Sequence, residues 1–145
     1  GMALSSVKDD RVRGSLLMIQ NDLFDLGADL ATPQELKGEL RLSAGGPARL
    51  EKMIDELNDD LPSLTSFVLP SGPGGAGELH FARAVARRAE RTVWALAESV
   101  EFGPLLNPVI PQYLNRLSDY LFVAARHVAR GAGGEVTWVP GANAE

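Results

Sequence analysis

Apolar residues recur along this chain in four stretches with the period of an α-helix. Leu16, Ile19, Leu23, Leu26 and Leu30 alternate steps of three and four, which puts them on one face. The spacing predicts a helix from about Asp9 to Ala31, stopped at Thr32-Pro33, because the residue before a proline is pushed out of helical backbone. Gly45-Gly46-Pro47 predicts a second start, since proline suits the first helical position, and Leu50, Ile54, Leu57 and Leu61 carry that helix to Leu61-Pro62. A third is predicted from roughly Gly75 to Glu98 on a stripe of small residues, Leu79, Ala82, Ala86, Ala89, Val93 and Leu96. Alanines there would let a neighbouring helix approach closely. Asn107-Pro108 reads as a cap and first position for a fourth, with Leu114, Leu117, Leu121, Ala124 and Val128 running to about Gly131. Short connections between long amphipathic helices predict an all-α, up-down bundle.

Between the helices lie a short apolar run, Phe67-Val68-Leu69-Pro70, and a glycine-rich turn over residues 71–77. The turn lacks the GxxxxGK[ST] pattern and follows no long strand, so it reads as a relaxed entry to the third helix and not as a phosphate loop. The tail Glu135-Val136-Thr137-Trp138-Val139-Pro140 reads as short and extended.

Composition narrows the function classes. At 145 residues and 45% hydrophobic the chain reads as one domain able to bury a core unaided. With no cysteine, zinc fingers, iron–sulfur clusters, thiol nucleophiles and CxxC redox chemistry are excluded, and two histidines supply little for a metal centre, so no protein-held metal is expected. No apolar run of membrane-spanning length and no secretory leader pattern is visible, which predicts a soluble, cytoplasmic protein without a membrane partner. A net charge of −5 argues against nucleic acid as a partner, yet the charge is uneven. All seven basic residues of 61–145 are arginine, and Arg83, Arg87, Arg88 and Arg91 fall within nine positions. Guanidinium forks suit oxyanions and carboxylates.

The third helix carries a second stripe beside its apolar one: Arg83, Arg87, Glu90 and Trp94. The fourth repeats the device with Asn115, Asp119, Phe122 and Arg126. Each stripe lies on one helix face. Their position beside the core stripes fits either a polar seam between subunits or a ligand cleft between helices. His80 and His127 read as packing or surface residues, and Asp9-Asp10 and Asp59-Asp60 as helix-end residues. No Ser/His/Asp arrangement is present, so an enzymatic nucleophile would have to come from a substrate or cofactor.

Four ordered blocks resemble a known family: residues 19–30 (IQNDLFDLGADL), 66–72 (SFVLPSG), 82–91 (ARAVARRAER) and 113–122 (YLNRLSDYLF) are similar to the PduO-type ATP:cob(I)alamin adenosyltransferases, and residues 135–141 resemble that family's closing segment. The resemblance implies a five-helix bundle, of which four long helices are visible here, assembled as a homotrimer with sites at the subunit interfaces. It implies that Co(I) of the corrinoid attacks the 5′ carbon of ATP, giving adenosylcobalamin and triphosphate. ATP, Mg2+ on the triphosphate, cobalamin and an electron-donating reductase follow as cofactors and partners.

Carried over by position, the catalytic residues are Arg83, Arg87 and Phe67. Arg83 matches an arginine that pairs with an acid across the interface, and Arg87 one that contacts the nucleotide. Arg88 and Glu90 complete that motif, Asn115 and Arg116 match an Asn-Arg pair near the nucleotide, and Phe67 matches the aromatic that closes the lower axial side of the corrin. Asp119 helps hold the arginine network and falls with Phe67 among the cobalamin-binding positions. On its own, Phe67 would read as an ordinary core aromatic.

The family begins with a phosphate-wrapping loop and a first helix that have no counterpart here. Gly1 to Val7 resemble the end of that helix, so the chain is expected to begin inside a single domain spanning 1–145, as part of a longer polypeptide in preference to a truncated product. The alternative to an enzyme is a non-catalytic corrinoid-binding carrier bundle.

Overall fold

The computed structural model describes residues 1–32 and 40–143. Among them are five α-helices, α1 (Met2–Ser6), α2 (Asp10–Ala31), α3 (Gly46–Asn58), α4 (Ala76–Ala97) and α5 (Val109–Gly131), with a 3-10 turn at Gly103–Leu105. The four long ones stand where the periodicity predicts, and the short α1 occupies the segment that resembles the end of a family helix.

Helix ends follow local chemistry. Asp9 caps α2, its Oδ1 accepting the Val12 N–H at 2.9 Å. Thr32 closes the same helix in extended backbone, and its hydroxyl donates to the Ala28 carbonyl at 2.8 Å. Pro33, the expected stop, lies outside the described residues. α3 is shorter than expected: helical bonding gives way at Asn58-Asp59-Asp60, residues that compete with a helix through their own side chains, and Leu61 sits in the turn beyond. Asn107 caps α5 by accepting the Val109 N–H at 3.0 Å. Before α4 the chain turns tightly at Gly74 (φ +69°) and Gly75 (φ +91°), where a Cβ would stand 2.8 Å from the Val128 carbonyl oxygen or from Val7, respectively.

α5 is the central element, buried along nearly its whole length, with α4 and α3 packed closely on it and α1 lying against α4. Polar links tie the layers. Asp22 on α2 accepts from Arg49 on α3 and from the Tyr113 hydroxyl of α5 at 2.8 Å. Burial and this bond to a carboxylate push the Tyr113 phenol pKa well up, so it stays a donor. Buried Asp29 accepts from the Leu42 N–H at 2.8 Å and from Asn107 Nδ2 at 2.6 Å, anchoring the stretch before α3 and the start of α5.

Three expected core positions are corrected. Ala89 and Leu23 are exposed because they line an open apolar cleft of about 340 Å³ between α2 and α4, beyond the tip of α1. Leu30 is exposed beside a second opening next to the 3-10 turn. On α4 the buried face is rotated toward the charged stripe, so that Glu90 is enclosed in place of Ala89.

After α5 the tail runs back along the residues before α4. Val68 and Thr137 form an antiparallel bridge, flanked by Leu69 N–H to Val136 O at 2.8 Å and Trp138 N–H to Phe67 O at 2.7 Å.

Candidate active site

The two polar stripes meet along one seam, because α4 and α5 pack closely side by side and run antiparallel. Glu90, 5% exposed, accepts from Asn115 Nδ2 at 3.0 Å and from Arg87 in a short ion pair one turn away. A single buried carboxylate thus orients an arginine of α4 and an amide of α5. Further along, the Arg83 guanidinium stands 5.3 Å from the centroid of the Phe122 ring, a cation–π contact across the same seam. Its Nε is buried without a hydrogen-bond partner. A buried donor left unmet is costly.

His80 sits one turn before Arg83, buried, with its ring 6.2 Å from Phe122. Burial first, then the charge of Arg83, hold its pKa below the ordinary 6.5, against a smaller opposing pull from Glu135. Above that range it is a neutral imidazole.

Asn115 and Arg116 line a groove of about 400 Å³ together with Trp94, Glu51 and Pro111. Arg116 bridges two elements, with Nε 3.1 Å from Glu51 of α3 and Nη1 3.0 Å from Asp119. Arg88 lies exposed on α4, outside the hydrogen-bonded seam. Phe67 is 76% exposed, which removes the core reading, and its ring packs at a tilt against Trp138, centroids 5.9 Å apart. Of the expected site residues, then, Arg83, Arg87, Glu90 and Asn115 share one seam, Arg116 and Asp119 form a pair beside it, and Phe67 stands on the segment paired with the tail.

The sequence reading missed Glu51 and the pair formed by Arg126 and Glu135. Glu51 sits on a helix read only for its apolar stripe. Arg126 belongs to the polar stripe of α5, but its acceptor lies nine positions on in the tail, where no helical period could reveal it.

A bundle of this shape with an Arg-Glu-Asn seam has well-defined relatives. The family model for cobalamin adenosyltransferase matches residues 1–128. The corrinoid adenosyltransferase of Mycobacterium leprae is 45% identical over 140 residues, covering 92% of this chain and 71% of the relative. That of Bacillus subtilis is 41% identical over 143 residues, covering 95% and 72%. Among solved structures, a variant PduO-type ATP:corrinoid adenosyltransferase from Lactobacillus reuteri, complexed with cobalamin and ATP, superposes with a TM-score of 0.81 at 31% identity, covering 94% of this chain and 76% of that one. The chain belongs to the cobalamin adenosyltransferase family.

Proposed function

We propose that this protein transfers the 5′-deoxyadenosyl group of ATP to cob(I)alamin, giving adenosylcobalamin and triphosphate. The observation that carries the reading is the likeness, over more than nine-tenths of the chain, to corrinoid adenosyltransferases and to a structure holding both ATP and cobalamin. The seam supplies a physical reason. The reduced cobalt is itself the nucleophile, the new cobalt–carbon bond forms as the C5′–O bond breaks, and the electron pair leaves with the triphosphate. The protein's task is positioning and charge stabilisation. Arg87, held by Glu90, offers its remaining guanidinium donors to the nucleotide. Arg83 keeps a donor free for an acid of a neighbouring subunit in a homotrimer. Asn115, Arg116 and Arg88 complete the nucleotide side, while Asp119 and Phe67 serve the corrinoid side.

Among the described residues no three His, Cys, Asp or Glu side chains gather to hold a metal ion. Mg2+ on the triphosphate would add to the arginines in neutralising its charge. No helix among those residues is long and apolar enough to cross a membrane. We place the reaction in the cytoplasm, in a single bundle domain, with a reductase supplying the electron.

An anaerobic assay with ATP, Mg2+, cob(II)alamin and a chemical reductant tests the reading through the visible spectrum of adenosylcobalamin. Product is the expected outcome. Corrinoid binding with no turnover, unrelieved by an amino-terminal extension, would overturn it in favour of a carrier.

A further inference from the structure

Three side chains meet where Arg83 crosses the seam. On α4, His80 and Arg83 stand one turn apart and so share a helix face. Both lie against Phe122 of α5, which packs on the core: the Arg83 guanidinium carbon is 5.3 Å from the ring centroid, and the His80 ring meets Phe122 at 6.2 Å with a tilt of 60°. An arginine side chain has many rotamers, and the ring face favours one of them here.

The face of an aromatic ring is negative and attracts whatever cation stands over it. An uncharged imidazole beside Phe122 leaves that face to Arg83. An imidazolium would compete for it and would also repel the guanidinium one turn away. The charged groups facing His80 are Arg83 on its own helix and Glu135 in the tail, and Glu135 is itself engaged by Arg126 of α5 through a bond of 2.7 Å. Little of its charge is therefore left to support a proton on His80. Burial together with Arg83 outweighs it and keeps the imidazole uncharged to below the ordinary range.

We propose that His80 is a positioning residue for Arg83: as an uncharged ring packed on Phe122 it supports the surface on which the guanidinium rests, and on taking up a proton it sets a second cation against that ring and drives Arg83 out of place. This rests on the adenosyl-transfer reading and on the place given there to Arg83. The consequence is specific. Turnover carries an acid limb that belongs to a residue which touches neither ATP nor the corrinoid, and an uncharged ring in place of the imidazole abolishes that limb.

The test compares the pH profiles of wild type, His80→Ala and His80→Phe in adenosyl transfer from about pH 8 to about pH 5, with circular dichroism at each pH. At the alkaline end His80→Ala is expected to lower kcat about fivefold, and His80→Phe to recover most of it, as loss and return of a ring contact require. Toward acid, wild type is expected to lose kcat/KM about fivefold or more beyond His80→Phe with its helix signal intact. Protonation of the ATP phosphates contributes the same decline to both proteins, so the excess belongs to His80. Nuclear magnetic resonance gives an independent readout: the Arg83 Nε–H signal should shift with the midpoint of the His80 ring in wild type and stay in place over that range in His80→Phe. Identical pH profiles, or a loss in His80→Phe that is equal at every pH, overturns the proposal, the second by making the role merely structural. Wild type inactive throughout would instead remove the adenosyl-transfer reading, and the Arg83 signal would still decide whether the charge of His80 moves that side chain.

Discussion

Glu90 shows how one side chain organises the seam. An enclosed carboxylate is stable only when its lone pairs are met, and here an amide of α5 and a guanidinium of α4 meet them. Arg87 is therefore oriented before any ligand arrives, while its own side chain stays partly exposed and able to reach one. Arg87→Ala is expected to lower kcat/KM about a hundredfold or more and also to lower the thermal midpoint, because the enclosed Glu90 carboxylate loses its guanidinium partner. Steady-state kinetics with circular dichroism decides it, and wild-type turnover would remove the role. His80 makes a pH-dependent contribution. Its folded pKa lies below the unfolded 6.5, so the unfolded chain takes up the proton first as pH falls. Stability from this site is complete above about pH 6.5 and declines below it, down to the folded value. Denaturant titrations between pH 7 and pH 5 should show that slope in wild type and a shallower one in His80→Phe.

At the scale of elements, caps decide where helices begin more sharply than apolar stripes do. Asp9 was legible as a helix-end residue because acidic side chains satisfy the first free N–H groups. Its second role, an approach to His127 of α5 at 3.3 Å, was not, because that partner is 118 positions away. The bond from the Val12 N–H, with His127 adding to it, holds the Asp9 pKa below 3.8 against the opposing effect of burial. The contribution is thus present above about pH 3.8 and lost as pH falls through the folded value. Asp9→Ala should cost about 1 kcal/mol at neutral pH, and the gap to wild type should close in strong acid. The apolar stripe of α4 was right in period and wrong in phase at one place. Ala89 and Glu90 are neighbours in sequence, and only the packing of α5 decides which of them is enclosed.

For the whole molecule, apolar surface remains uncovered. Phe24 is 84% exposed on α2, and Met2, Phe81 and Val85 border the cleft between α2 and α4. Surfaces of this kind mark contacts with other chains, which agrees with the assembly proposed above. Light scattering on the purified protein should give a mass close to three times the chain's 15.5 kDa, and a monomer would remove the homotrimer. The four long helices, their limits to within a few residues, the polar stripes and the family all lay in the sequence, because each depends on neighbours three or four positions apart or on ordered local blocks. What only the tertiary structure decided is which stripe residues meet: Glu90 with Asn115, Arg83 with Phe122, Arg116 with Glu51. It also decided that Phe67 shares an exposed plate with Trp138. Those contacts join residues 25 to 71 positions of chain apart, and no local period encodes them; the register of α4 on α5, and of the tail on the segment before α4, follows from burying one shared core.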